Sequence, residues 1–399
     1  MSKRILVLGQ FSPYPTDKGF FRAPLIADTL DRLIASGAEC MVGAPAWVGQ
    51  QDQVAHVALP ADITAPPYTA RFALRGTRYL LRLAAGACND PWWNSVRSFA
   101  PDMVLALNPN SLAFAKPIAS ILRARLVLYE LGGISLGSVF HSKGAFRPVL
   151  AEFYAPLFAG VDALISVEDS TALHATTPVA RLPPSMQLHV PVPHRTWTHR
   201  TRTEIDALAG LPPLQQGQRR VAWAGRFEKV KRPTLFLRIA RHLLEAEGQS
   251  VQVVMVGATK EAARFDPELT RDIVFPGMVS NARLEAILQS SDLATFTALL
   301  SVAGTIFRET VAAGVPVAAT IEPKDLLLFT LLDVERDVVQ LDARDPEGAA
   351  EAIRGALNNP AALRQQADAA RMHLEARGEP MDGYIRRVTS FLSSLLYHR

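Results

Sequence analysis

The stretch Phe296–Val317, FTALLSVAGTIFRETVAAGVPV, decides the reading of this chain. A short apolar strand over Leu293–Thr297 runs into a loop of small residues holding Ser301 and Gly304. A helix follows over Thr305–Ala313, and Gly314-Val315-Pro316-Val317 opens the next strand. Strand, loop, helix and strand in this order form a unit of a parallel sheet. The N-terminus of the helix presents free N–H groups and the positive end of its dipole, which suits a phosphate. Glu309, in the first turns of that helix, offers a carboxylate to sugar hydroxyls.

Strand and helix signals alternate on both sides of this stretch. Arg4–Gly9, Cys40–Val42, Met103–Leu107, Leu126–Tyr129 and Ala163–Val167 read as buried strands of the first half. Helices are expected over Ala23–Ser36, Ser111–Leu122 and Pro148–Ala159, where apolar residues recur at helical spacing. The pattern breaks at Leu182–Pro193, a proline-rich extended stretch, and stays polar to residue 217. A second series starts at Arg220–Ala224 and runs through strands 251–256, 273–275, 293–297 and 315–319. Its helices are 233–247, 281–289, 305–313, 345–357 and 360–376. At 399 residues the chain is long enough for two cores. The expected division is a first domain over 1–190, a linker over 191–217, a second domain over 218–380, and a last helix over 381–399 crossing back to the first domain. Two doubly wound α/β domains bind ligands at the carboxyl ends of their strands, in a cleft between them.

Composition narrows the partners. Apolar residues make up 49% and charged residues 20%, with a net charge of +4 and an isoelectric point near 9.1. A mild positive excess suits an anionic ligand such as a nucleoside diphosphate. No basic run with interleaved aromatics argues for nucleic acid. Cys40 and Cys88 are the only cysteines and stand in no metal-binding pattern, so both are expected reduced, in a cytoplasmic protein. The N-terminal apolar run is too short for a signal peptide and reads as a first strand.

Four motifs carry chemistry. Gly225-Arg226 with Lys231 follows the first strand of the second domain and sets two cations at the sheet edge. Such a pair binds a diphosphate and stabilises it as a leaving group without a metal. Pro276-Gly277-Met278-Val279-Ser280 joins a strand to a helix. In the first domain, Lys18-Gly19 lies between strand one and helix one, and Glu130-Leu-Gly-Gly133 ends a strand. A carboxylate at that edge can act as a base or stabilise oxocarbenium charge. No D-x-D, the pair that holds a divalent cation in other transferases, occurs in the chain.

Together these motifs resemble those of glycosyltransferase family 4. Gly225-Arg226…Lys231 matches its G-R-x4-K signature, and Ser301…Glu309 followed by Ala312-Ala-Gly-Val-Pro-Val317 matches its E-x7-E and A-x-G-x-P-V segment. The resemblance implies a GT-B fold and a retaining, metal-independent glycosyltransferase acting on a UDP- or GDP-linked sugar, with no permanently bound cofactor. It assigns Arg226 and Lys231 to the diphosphate, Glu309 to the ribose hydroxyls and Thr310 to the phosphates at the helix start. Met278 and Val279 would hold the base through backbone groups, Gly304 would let N–H groups approach the sugar, and Gly19 would contact donor phosphates or acceptor. Two positions depart from the family: Ser301 replaces its first acid, and Glu130 stands where many members have histidine. The implied acceptor is a glycan or lipid-linked glycan of surface polysaccharide synthesis. The competing readings are a nucleotide-sugar epimerase of the same fold and a non-catalytic partner that kept it. Arg71, Arg75, Arg78 and Arg82 would form one helical stripe, fit to rest on anionic lipid at the inner face of the membrane, with Trp92-Trp93 as an anchor or as core.

Overall fold

The computed structural model describes residues 3–9, 24–45, 54–64, 75–130, 159–167, 185–188, 200–257, 265–298, 304–321 and 326–397. By its contacts the chain divides into one unit of Met1–Val190 with Asp382–Arg399 and another of Pro191–Met381.

The first unit is built on strands β1 (Arg4–Leu8), β2 (Glu39–Ala44), β3 (Ala55–Ala58), β4 (Met103–Ala106), β5 (Arg125–Glu130), β6 (Ala163–Val167) and β7 (Ser185–Leu188). They lie in the order β3-β2-β1-β4-β5-β6-β7, every pair parallel. The central strands are apolar on both faces, as a sheet covered on both sides requires. Residues 5–8 of β1 and all of β4 are buried. Helices α1 (Pro24–Ala35), α2 (Thr77–Ala84), α3 (Pro91–Phe99) and α4 (Leu112–Leu122) belong to this unit. Trp92 and Trp93 of α3 are 6% and 2% exposed, packed in the core with Phe114 of α4. They are core residues and offer no membrane anchor. The proline-rich stretch after residue 182 contains strand β7, in register with β6 through Leu164 and Ser185.

The last helix, Met381–Tyr397, brings Tyr384 to the first unit's sheet. The Tyr384 hydroxyl lies 2.5 Å from that of Tyr129 on β5, and Thr29 of α1 also bonds the Tyr129 hydroxyl. Both tyrosines are fully buried, and burial pushes the Tyr129 phenol well above its usual range. This node ties α1, β5 and the last helix together beside Glu130. Tyr384→Phe is expected to lower stability by about 1 kcal/mol, the net value of one hydrogen bond whose partner keeps a second. Urea denaturation measures it, and an unchanged midpoint would show the node to be energetically idle.

The second unit carries β8 (Arg219–Ala224), β9 (Val251–Val256), β10 (Ile273–Gly277), β11 (Leu293–Phe296), β12 (Val317–Thr320) and β13 (Val339–Leu341). Their order is β10-β9-β8-β11-β12-β13, again all parallel. Its helices are α5 (Arg202–Ala209), α6 (Pro233–Glu247), α7 (Pro267–Thr270), α8 (Asn281–Gln289), α9 (Thr305–Ala312), α10 (Leu326–Leu331), α11 (Val334–Asp337), α12 (Pro346–Leu357) and α13 (Pro360–Arg377); Met381–Tyr397 is α14. Helix α6 packs on α12, and Trp223, Phe236, Met255 and Ile353 fill the core.

The stretch read as a linker is structured over its described part. Helix α5 starts with a capping box, the Thr201 side chain accepting from the Glu204 N–H and the Glu204 carboxylate from the Thr201 N–H. A buried guanidinium holds the rest. Arg220 donates to Gln252 Oε1, to Ser290 Oγ and to the Pro212 carbonyl at 2.7, 2.6 and 3.1 Å. Arg283 donates to the Ala209 carbonyl at 3.0 Å. These polar groups bind the segment to the second unit.

Cys40 and Cys88 are buried and form no disulfide. Burial and the nearby Asp31 push the Cys40 thiol up to about 12. No described helix is long and apolar enough to cross a membrane.

Candidate nucleotide-sugar site

Strand order locates the site. From β8 the chain moves to β9 on one side, while β11, its other neighbour, leads on to β12. The carboxyl ends of β8 and β11 therefore flank a topological switch point, where open α/β sheets bind ligands. The loop after β8 carries Arg226 and Lys231, and the segment after β11 leads to Gly304 and α9.

Thr297 joins the two. It is 1% exposed, just past the end of β11. Its hydroxyl donates to the carbonyls of Lys231 and Arg232 at 2.9 and 3.2 Å. The same oxygen accepts from Trp223 Nε1 of β8 at 3.0 Å. One side chain thus fixes the backbone of the cationic loop over the end of β11. Packing holds the other flank: a Cβ added at Gly257, after β9, would meet Phe227 at 2.3 Å and the Gly225 carbonyl at 2.7 Å. Only glycine admits so close an approach to the loop.

Arg226 is 60% exposed and pairs with Glu228 at 2.9 Å, itself 46% exposed. A pair this open to water is weak and easily exchanged for a ligand anion. Lys231 is half-buried in a short 3-10 turn, and Arg232 after it adopts a left-handed conformation at φ 48°.

Helix α9 begins at Gly304, which has no side chain to cap it. Among the described residues no side chain caps its first N–H groups, a geometry that suits an anion. Glu309 lies in its second turn, half-buried. Thr310 behaves differently from its sequence expectation. It is fully buried, and its hydroxyl donates back to the Ile306 carbonyl at 2.6 Å. That hydroxyl is occupied inside the helix.

Gly277 ends β10 at φ 79°, and Met278 and Val279 follow, Met278 54% exposed. Ser280 caps α8 by accepting from the Arg283 N–H. Strand β10 stands two strands from β8, about 10 Å along the sheet edge. That separation suits a nucleoside at β10 with its phosphates at the switch point.

In the first unit, Glu130 closes β5, paired in register with Ser166; its side chain lies outside the described residues. Gly19, Ser301 and Arg71 also lie outside them. Arg75, Arg78 and Arg82 are exposed. Leu81 beside them is 65% exposed, while Leu83 of the same helix is buried. The residue that sequence reading missed is Thr297. It was assigned only to a strand, since nothing local distinguishes a strand-end threonine that bonds a loop 65 residues away in sequence.

Residues 218–359 match the family model described as glycosyl transferases group 1. Among solved structures, the fold is similar to that of a sucrose-phosphate synthase from Thermosynechococcus elongatus. The TM-score is 0.73 at 14% identity, covering 98% of this chain and 99% of that one. HepE of Anabaena in complex with UDP and glucose gives 0.69 at 16%, with 98% and 99% covered. WaaG, a glycosyltransferase involved in lipopolysaccharide biosynthesis, gives 0.69 at 14%, with the same coverage. At such identities the likeness is one of fold. No curated protein matches the chain in sequence.

Proposed function

We propose that the chain is a glycosyltransferase, on the match of residues 218–359 to the glycosyl transferases group 1 model and on the similarity of fold, and that it moves a sugar from a UDP- or GDP-linked donor to a glycan or lipid-linked glycan. The observation that carries the donor assignment is the Thr297 link, which holds the Arg226–Lys231 loop over the switch point. Arg226 and Lys231 grip the diphosphate and neutralise the charge that grows on it as the glycosidic bond breaks. Glu309 binds ribose hydroxyls, the start of α9 at Gly304 faces phosphate and sugar, and backbone groups at Met278 and Val279 hold the base. HepE was solved with UDP and with UDP-glucose, so UDP is the first nucleotide to test.

Transfer is read as retaining. The acceptor oxygen bonds C1 on the face the diphosphate leaves, the C1–O electron pair stays on the diphosphate, and the acceptor proton passes to a phosphate oxygen. Glu130 is assigned to stabilising the positive charge at C1, Ser301 to a contact with the donor sugar and Gly19 to the phosphates or acceptor. With two cations on the diphosphate, the reaction is proposed to need no metal. Work on surface polysaccharide at the cytoplasmic face of the membrane is part of the proposal. Its support is the exposed stripe of Arg75, Arg78 and Arg82 with Leu81.

Calorimetric titration with UDP, GDP and ADP in EDTA tests the donor site. One nucleotide is expected to bind without metal and identifies the base. If none binds, with or without magnesium, the donor assignment is wrong. Products formed from the donor alone separate an epimerase from a transferase, which requires an acceptor or water.

A further inference from the structure

A second feature of the group 1 domain lies at the same sheet edge, lined by none of Arg226, Met278, Val279, Gly304 or Glu309. A cavity of about 1260 Å³ opens among the residues that follow β8, β12 and β13, on the side where α6 and α12 begin. Four cations line it: Lys229, Arg232, Arg238 and Arg344. Among the described residues a single acid, Asp342, faces them. Asp342 is paired to Arg344 at 3.4 Å, an exposed pair of the kind that contributes little. Among the described residues, no ion pair engages Lys229 or Arg238. Phe227 and Phe265, in contact at 5.4 Å between ring centres, form an apolar wall.

Like charges gathered around one hollow repel, and with one acid among four cations the described part of the lining keeps a net charge of about +3. An arrangement of that kind is relieved by a ligand carrying several negative charges. The first turn of α6 adds the positive end of a helix dipole. Proline at its first position and the bonds already made by the Leu235 and Phe236 N–H groups leave mainly side chains to do the binding.

We infer that this cavity is a second anion site, taking a small organic phosphate with two to four negative charges. Arg238 and Arg344 clamp the phosphate from α6 and from the loop after β13, and the phenylalanine wall covers the apolar part. The ligand would touch Phe227, Lys229 and Arg232, which share one loop with Arg226 and Lys231. Its binding does not depend on the donor assignment, and the two fail separately.

The test uses the full chain carrying Arg226→Ala, which weakens the donor site, titrated calorimetrically with inorganic pyrophosphate. One pyrophosphate is expected to bind, and adding Arg238→Glu with Arg344→Glu is expected to weaken it at least about tenfold. Both residues are exposed, so folding is retained; Arg238→Gln with Arg344→Gln serves if it is not. Arg336→Glu, an exposed charge reversal on α11 before β13, is expected to leave pyrophosphate binding unchanged. The inference is overturned by no binding to the Arg226→Ala protein, by binding that survives the double reversal, or by equal weakening in Arg336→Glu. Failure of UDP to bind the wild-type chain would instead sink the donor assignment and leave this one standing.

Discussion

Arg226→Ala is expected to weaken nucleoside diphosphate binding by about 2–3 kcal/mol, the value of hydrogen bonds to a charged group, or roughly 30- to 150-fold. The same substitution is expected to leave stability nearly untouched. Among the described residues Arg226 pairs with Glu228, and both side chains are largely in water. Such a pair contributes about 0–1 kcal/mol. The guanidinium thus stands at the loop tip at little cost to the fold and is free to meet a diphosphate. Calorimetry with UDP and a thermal melt of the same sample check both halves. An affinity unchanged by the substitution would remove Arg226 from the donor site.

Thr297→Val is expected to act in the opposite sense, on the fold first and on the donor through it. The substitution is nearly isosteric. It strands the buried Trp223 N–H and removes the donor that serves the Lys231 and Arg232 carbonyls. Leaving a buried polar group unsatisfied costs about 1–3 kcal/mol, so a loss of about 2–3 kcal/mol is expected in urea denaturation. The cationic loop also loses its attachment to β11. Lys231 must then be ordered by the ligand itself, and affinity for the nucleotide falls. Thr297→Ser keeps the hydroxyl and is expected to restore both. A serine variant as impaired as the valine one would show that the methyl group, not the hydroxyl, matters here.

Much of this architecture is legible along the chain. Helix α6, strand β9 and helix α8 begin and end where periodicity and their capping residues place them: Pro233 at a first turn, Gly248 past an end, Ser280 at a cap. Strands β8 and β11 show as buried apolar runs of the length a covered parallel sheet demands. The short elements are not legible. Ala55–Ala58 is half-exposed at a sheet edge, and Val339–Leu341 is too brief to show a period. Ser185–Leu188 is hidden among prolines that signal irregular chain. Helix α5 was obscured by its own polarity, because its attachment includes the Arg220–Asp206 ion pair and the bond from Arg283 to the Ala209 carbonyl.

The candidate site divides the same way. Residue type and spacing determined by themselves that two cations follow β8, that a carboxylate sits early in a helix after β11, and that glycine opens that helix. These are local facts, since backbone geometry and ionisable groups are carried by neighbours in sequence. Which groups remain available was decided by the tertiary structure. Thr310 turns its hydroxyl into its own helix, Thr297 becomes the tie between two strands, and Lys229 lines a different hollow from Arg226 a few residues away. A hydrogen bond or a cavity wall depends on where distant segments meet, and no local pattern encodes that meeting.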